Sequence, residues 1–138
     1  MEIRYKLRPN DPWLAARAIC FLRNYLKPHH TGLEFGSGRS TIWFAKRCKH
    51  LISVENNSTW YHSISRQLME EDLNNVDLLY RPSGSKYVSA IDHIADRSLS
   101  FVLVDVKRRL ETALKSIEKV EPGGIFILDD ANRYIPGV

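Results

Sequence analysis

Hydrophobic residues along the chain follow two alternating patterns, which predict alternating strands and helices. Short apolar runs end in an acid at four places, and between the runs apolar residues recur three or four positions apart. Continuous apolar runs are typical of parallel strands, because helices cover both faces of a parallel sheet. The predicted strands are residues 31–34, Leu51–Glu55, Val76–Tyr80, Phe101–Asp105 and Ile125–Asp129.

Five helices are predicted around these strands. The first spans residues 11–27, because Asp11 and Pro12 form a helix start and Pro28 ends the stripe of Leu14, Ala18, Phe21 or Leu22, and Tyr25. Apolar positions at helical spacing mark the others. These are Ile42, Ala45 and Cys48; Tyr61, Ile64 and Leu68; Tyr87, Val88, Ile91 and Ala95; and Leu110, Ala113, Leu114, Ile117 and Val120, ended by Pro122–Gly124.

The alternation predicts a doubly wound parallel sheet with helices on both faces, since connections between parallel strands are right-handed crossovers. We expect a single domain over residues 1–138, with its core in residues 31–130. Ligands of such sheets lie beyond the carboxyl ends of the strands. Glu34, Glu55, Asp105 and Asp129 all fall at or near those ends.

The composition is that of an ordinary soluble protein. The net charge is +4, from 20 basic and 16 acidic residues, and the basic residues are dispersed, so nucleic acid is not indicated as a partner. No apolar stretch approaches the roughly 20 residues of a membrane span, and a cytoplasmic location is expected. Cys20 and Cys48 occupy apolar positions of helical patterns, which predicts buried thiols rather than a disulfide.

The segment 31–41 contains the clearest candidate site. An apolar run reaches Glu34 and passes directly into Gly36-Ser37-Gly38, after which a helix begins. Glycines at such a junction let the main-chain N–H groups approach a ligand closely. Glu55 follows Gly36 by 19 residues and ends the second strand, where an acid binds ribose hydroxyls in nucleotide-binding units. A nucleotide-like ligand is expected here.

Four blocks of sequence resemble class I S-adenosylmethionine-dependent methyltransferases in order and spacing. They are Leu33–Ser40, Glu55 at the end of strand two, Val102–Asp105, and Pro122–Asp130. The resemblance implies a Rossmann-like α/β fold with strand order 3-2-1-4-5, S-adenosyl-L-methionine as cofactor, and transfer of its methyl group to a small-molecule or protein acceptor. It covers residues from about 30 to the end of the chain.

By this resemblance, Glu34 would bind the ammonium group of the cofactor directly or through water, and Glu55 would bind the ribose hydroxyls. The turn from Gly36 to Gly38 would pass under the methionine part. A ligand with an ammonium and a diol but no phosphate suits carboxylates, whereas a pyrophosphate would be repelled by them. The implied cofactor-binding residues are Glu34, Phe35, Gly36, Ser37, Gly38, Ser40, Glu55 and Asn56.

Asp105 and Asp129 are the candidate catalytic residues. Asp105 is expected nearest to the transferred methyl group, where it would act as a base or, alternatively, cap the following helix. Asp129, Asp130 and Asn132, together with Asp105, also resemble the oxygen ligands by which some O-methyltransferases hold magnesium. Hydrogen-bonded or solvated acids are the commoner explanation, so no metal ligand is assigned.

Two alternatives remain for the function. The chain could be a cofactor-binding module without turnover, or one completed by a partner. Nicotinamide-dependent oxidoreduction is a weaker alternative, because Thr41 stands where the dinucleotide motif has its third glycine and Glu34 would repel a pyrophosphate.

The resemblance also implies that the family's last two strands are lacking after residue 130. Those strands would cover the edge of strand five. An uncovered parallel edge favours association, so a homo-oligomer through the strand-five edge is expected.

Overall fold

A computed structural model describes residues 16–82, 84–104 and 109–128. Within them, five parallel strands form one sheet in the order β3-β2-β1-β4-β5, which confirms the predicted topology. The strands are β1 Thr31–Phe35, β2 His50–Glu55, β3 Val76–Tyr80, β4 Leu99–Val104 and β5 Val120–Leu128. The helices are α1 Ala16–Tyr25, α2 Arg39–Ala45, α3 Ser58–Glu70, α4 Ser85–Val88 and α5 Arg109–Ile117, with a 3-10 turn Ser89–Ile91 after α4.

Alternating side chains divide the core into two halves, one on each face of the sheet, because successive residues of a strand point to opposite faces. Leu33 and Phe35 pack with α4 and the 3-10 turn on one face. On the other face, Leu51 and Phe101 pack with α1 and α2. Helix α3 packs beside α2 through Ile64 and Leu68. The central strands are therefore buried on both sides, as their continuous apolar runs predicted.

Gly32 on β1 leaves space for the ring of Phe101, its partner on β4. A Cβ atom built on Gly32 would lie 1.9 Å from the ring of Phe101. The aromatic ring thus occupies the space that any other residue would need at this point of β1.

The prediction for α5 was wrong about the face that it buries. Its fully buried residues are Thr112 and Ser116. The predicted apolar stripe faces outward, with Leu110, Leu114 and Ile117 exposed by 75%, 63% and 57%. The helix contacts β4, β5 and α4.

The start of β5 also differs from the prediction. Helix α5 ends at Ile117, and Val120, predicted as its last apolar position, is the first residue of β5. The segment Pro122–Gly124 lies within the strand as an irregularity, since the pairing shifts between Leu99 and Phe101 of β4. Pro122 has no N–H to donate, and Gly123 has a φ of 83°, so the strand tolerates both only at such a shift.

The first helix, the fourth helix and the cysteines also differ in detail from their predictions. Helix α1 ends at Tyr25 rather than at residue 27, and its predicted start at Asp11 lies outside the described residues. Of the two residues predicted for one position of its apolar stripe, Leu22 is buried and Phe21 is exposed. Cys48 is buried but Cys20 is exposed, and both are free. The short fourth helix and its 3-10 turn end at Ile91 and do not reach Ala95. No helix in the described ranges is long and apolar enough to span a membrane.

Candidate functional site

The glycine turn connects the carboxyl end of β1 with α2. Gly36 has a φ of 98°, a conformation that favours glycine, and its N–H donates to the carbonyl of Val54 at 2.9 Å. This hydrogen bond ties the turn to the end of β2. The chain then passes through Ser37 and Gly38 into α2, so the turn lies over the carboxyl ends of two neighbouring strands.

Glu55 holds the turn in place through main-chain N–H groups. One carboxylate oxygen of Glu55 accepts from the N–H of Ser37 at 2.8 Å. The other accepts from Asn56 at 3.1 Å and Asn57 at 2.9 Å. The side chain is only 4% exposed. Glu55 therefore joins the glycine turn to the loop after β2, and the two predicted elements of the site meet at this carboxylate.

Glu34 lies beneath the turn, within the protein, and not on the rim of the sheet. It alternates with Leu33 and Phe35, so its side chain points to the face that α2 covers and is 0% exposed. The carboxylate accepts from the hydroxyls of Ser40 at 2.6 Å and Ser53 at 2.8 Å, and from that of Thr41. These hydrogen bonds connect β2 and the first turn of α2 to the Glu34 side chain of β1.

Burial raises the pKa of Glu34 to about 7. Desolvation of the charged form is the main cause, and the nearby Glu55 carboxylate adds to it, while the three hydroxyls act in the opposite direction. Glu34 therefore changes its protonation near neutral pH.

Ser53, Thr41 and Trp60 also belong to the site, although the sequence did not single them out as site residues. The hydroxyls of Ser53 and Ser37 are 2.6 Å apart, and the Thr41 hydroxyl accepts from the N–H of Gly38 at 2.9 Å. The indole N–H of Trp60 donates to the carbonyl of Ser37. Ser53 could have been found as the only polar residue inside an apolar strand, in register with Glu34. No comparable signal marks Trp60.

The other predicted site residues lie in different surroundings. The Phe35 side chain is fully buried against Tyr87, with ring centroids 5.2 Å apart, so only its main chain faces the turn. Asn56 is exposed directly after Glu55. Asp105 and Asp129, the candidate catalytic residues, lie outside the described residues, as do Asp130 and Asn132 of the magnesium alternative. No cluster of three or more metal-binding side chains occurs in the described part of the chain.

The site lies where the strand order reverses, since β1 pairs with β2 on one side and with β4 on the other. A crevice forms at this point in doubly wound sheets. The Glu55 carboxylate at the turn suits a ligand that carries hydroxyls or positive charge rather than phosphate, whereas Glu34 is fully buried beneath the turn.

The strand order and the flanking helices match the fold of class I Rossmann-like methyltransferases. Neither a family model nor a curated protein sequence matches the chain. The likeness is found among solved structures, most of which are methyltransferases.

Three of these structures illustrate the sequence identities, TM-scores and coverages that are found. An rRNA methylase from Streptococcus thermophilus is 17% identical with a TM-score of 0.63, over 86% of this chain and 76% of its own. Coclaurine N-methyltransferase bound to N-methylheliamine and SAH is 17% identical with a TM-score of 0.58, over 82% and 34%. The precorrin 8w decarboxylase of Methanobacterium thermoautotrophicum is 21% identical with a TM-score of 0.67, over 88% and 66%.

The present chain therefore spans between about a third and three quarters of the lengths of these three proteins. At these identities the likeness establishes the fold.

Proposed function

We propose that the chain binds S-adenosylmethionine across the carboxyl ends of β1 and β2 and transfers its methyl group to a small-molecule or protein acceptor. The observation that carries the proposal is the meeting of the Gly36–Gly38 turn with the Glu55 carboxylate at the reversal of strand order. The methyltransferase neighbours support it, and two of them contain SAH.

Glu55 is the proposed ligand of the ribose hydroxyls. Its carboxylate accepts three main-chain N–H groups, whereas a carboxylate has about four lone-pair sites, so a ligand hydroxyl can be accommodated. Glu34 is proposed to act mainly through Ser40 and Thr41, whose hydroxyls it holds, and so to shape the turn that receives the methionine part. Phe35 and Asn56 would contribute main-chain contacts beside the cofactor.

Methyl transfer is an in-line displacement, in which the acceptor atom attacks the carbon of the sulfonium methyl and the thioether leaves. The protein's main task is alignment of the two reactants. Asp105 and Asp129 follow the last residues of β4 and β5 in sequence, and we propose them as groups that orient the acceptor or remove its proton. Asp105→Asn should then lower turnover while cofactor affinity is kept.

Isothermal calorimetry with S-adenosylmethionine and SAH tests the proposed cofactor. Glu55→Gln should raise the dissociation constant by about 5- to 150-fold, equivalent to about 1 to 3 kcal/mol for a charged hydrogen bond. Glu70→Gln, which changes an exposed acid on α3, is the matched control and should leave affinity unchanged. A folded protein that gives no heat with either compound would refute the proposal.

Glu55 also supports the turn, so the ribose contact needs a separate test. A 2′,3′-dideoxy analogue of SAH should bind the wild-type protein weakly and should lose little further affinity in Glu55→Gln. If the affinity losses caused by the analogue and by Glu55→Gln were additive, Glu55 would act only on the turn.

A binding module without turnover is the second candidate, either alone or completed by a partner. Transfer of a labelled methyl group across a panel of acceptors separates it from an enzyme. Calorimetry with NAD tests the oxidoreductase alternative, for which the buried Thr41 at the third-glycine position predicts no binding.

A further inference from the structure

A hydroxyl relay, formed by Ser53 and Ser37, connects the buried Glu34 carboxyl group with the glycine turn. The Ser53 hydroxyl donates to one carboxyl oxygen of Glu34 at 2.8 Å, and the hydroxyl oxygens of Ser53 and Ser37 are 2.6 Å apart. Glu34 and Ser53 are fully buried, whereas Ser37, in the turn, retains 7% of its surface. Ser37 is therefore the end of the relay that a ligand on the turn can reach.

The direction of each hydrogen bond in the relay is fixed when Glu34 is ionised. An ionised carboxyl group only accepts hydrogen bonds, and a hydroxyl group has one proton to donate. Ser53 donates its proton to Glu34, so toward Ser37 it can only accept. The Ser37 proton is then used within the protein, and Ser37 can offer a ligand only the lone pairs of its oxygen.

Protonation of Glu34 allows both hydrogen bonds to reverse. The neutral carboxyl group has one O–H to donate, and Ser53 can accept it because its own proton can turn toward Ser37. Ser37 then accepts from Ser53 and can donate its own proton outward. The turn therefore presents a hydrogen-bond donor at Ser37 when Glu34 is neutral, and an acceptor when Glu34 is ionised.

Two further hydroxyls contact Glu34, and only one of them offers another route to the surface. The Thr41 hydroxyl donates to the same carboxyl oxygen as Ser53, accepts from the N–H of Gly38 at 2.9 Å, and is fully buried. The Ser40 hydroxyl donates to the other carboxyl oxygen at 2.6 Å and is partly buried. Ser40 lies on α2 beyond the turn, so it is the alternative route that an experiment must separate from the relay.

The surroundings of Glu34 allow both protonation states near neutral pH. Burial raises its pKa to about 7, and the charge of Glu55 at the end of β2 adds to the effect. Burial likewise raises the pKa of Cys48, after α2, to about 11, so this thiol stays neutral. Arg39, the charged residue of α2, lines the cleft between α2 and α3. Strand β4 faces Glu34 with Leu103, and α1 packs on this face with apolar residues.

We propose that binding of a carboxylate-bearing ligand at the glycine turn is coupled to proton uptake by Glu34 through Ser53 and Ser37. A carboxylate accepts hydrogen bonds, so it requires the Ser37 donor that the neutral state of Glu34 provides. Its negative charge also favours neutral Glu34. The inference rests on the proposed function, because the methionine part of S-adenosylmethionine supplies the carboxylate. Since the coupling is reciprocal, protonation of Glu34 strengthens binding by the same factor.

Calorimetry with SAH in buffers of different ionisation enthalpy measures the proton uptake. SAH is used because it carries no sulfonium charge. Near pH 7 about half of the Glu34 groups are ionised, so binding should take up about 0.3 to 0.5 protons per ligand. The affinity should fall by about threefold to fivefold between pH 7 and 8. Glu34→Gln, which cannot ionise, should show no uptake and provides the baseline for protonation of the ligand itself.

Ser53→Ala and Ser40→Ala form a matched pair, because each removes one hydroxyl that donates to Glu34. Only Ser53→Ala interrupts the relay to Ser37. It should abolish proton uptake between about pH 6 and 9, whereas Ser40→Ala should retain it. The wide pH range is needed because loss of a donor raises the pKa of Glu34 and moves the maximum of uptake. Uptake that persists in Ser53→Ala, or that is lost only in Ser40→Ala, would overturn the relay.

Carbon-13 NMR of the glutamate carboxyl groups follows Glu34 directly, with Glu34→Gln to assign its signal. Glu34 should titrate near pH 7 in the free protein and at higher pH in the presence of SAH. Titration near 4.5 in the free protein would mean that Glu34 is ionised at neutral pH, which would overturn the proposal.

The decarboxylated analogue of SAH keeps the ammonium group and should bind without proton uptake. Uptake with this analogue, or binding of SAH without uptake, would overturn the coupling and leave the proposed cofactor intact. A folded protein that gives no heat with SAH would refute the proposed function, and the coupling with it.

Discussion

Glu34 shows how a single buried carboxyl group can organise a turn. It has no exposed surface, yet three hydroxyls from two elements donate to it. Ser53 supplies one of them from the neighbouring strand, and the first turn of α2 supplies the others. The conformation of the turn is therefore coupled to the protonation of this residue, whose pKa is about 7.

Glu34→Gln should change the pH dependence of stability. The pKa rises from 4.5 in the unfolded chain to about 7 in the folded protein, so between these values the folded state holds more protons. The wild-type protein therefore loses stability as pH rises through this window, by up to about 3 kcal/mol relative to the variant. Urea unfolding across the window measures the difference. Glu70→Gln is the control, and a parallel pH profile for Glu34→Gln and wild type would contradict the expectation.

Gly32 gives a prediction about packing, because the ring of Phe101 occupies the space beside its Cα atom. Gly32→Ala should destabilise the protein by about 3 kcal/mol, since the added methyl group would overlap Phe101. Urea unfolding checks this value. In Gly32→Ala/Phe101→Leu the smaller side chain leaves more room, so the double variant should lose less than the sum of the two single changes. If the losses of unfolding free energy in the two single variants simply added in the double variant, the Phe101 ring would not be the cause of the Gly32→Ala effect.

In helix α5, packing against the sheet decides which side of the helix is buried, and that side is not the apolar stripe of the sequence. A stripe normally faces the core, but here the small side chains Thr112 and Ser116 do so. The Ser116 hydroxyl donates to the carbonyl of Thr112 at 2.6 Å, whereas the buried Thr112 hydroxyl has no partner within the described ranges. The helix therefore buries polar groups and exposes leucines.

Thr112→Val should stabilise the protein by about 1 kcal/mol, because it replaces an unsatisfied buried hydroxyl with a methyl group of similar size. Thermal or urea unfolding measures the change. Thr59→Val, at an exposed position of α3, is the control and should have almost no effect. A loss of stability in Thr112→Val would show that the hydroxyl is hydrogen-bonded in solution.

At the scale of the whole molecule, two features of one side favour association. Within the described residues, β5 pairs only with β4, so its other edge is open, and the exposed stripe of Leu110, Leu114 and Ile117 lies on the neighbouring helix. Open parallel edges and apolar patches are typical contact surfaces.

We expect self-association through this side, measurable by sedimentation velocity. Leu114→Lys/Ile117→Lys should shift the protein toward the monomer, because the charges oppose burial of the stripe. Met69→Lys, at a 79% exposed position of α3, should not. A wild-type protein that stays monomeric at high concentration would contradict this expectation.

The sequence by itself determined the strands, their order of appearance, and the glycine turn with its two acids, because these depend on local periodicity and on backbone conformations that glycine favours. The tertiary structure alone decided that Glu34 is buried beneath α2, that Glu55 holds the turn, and that the stripe of α5 faces outward. These depend on which side chains neighbouring elements present to each other, and on how closely each helix approaches the sheet. That information arises only when the strands pair and the helices pack.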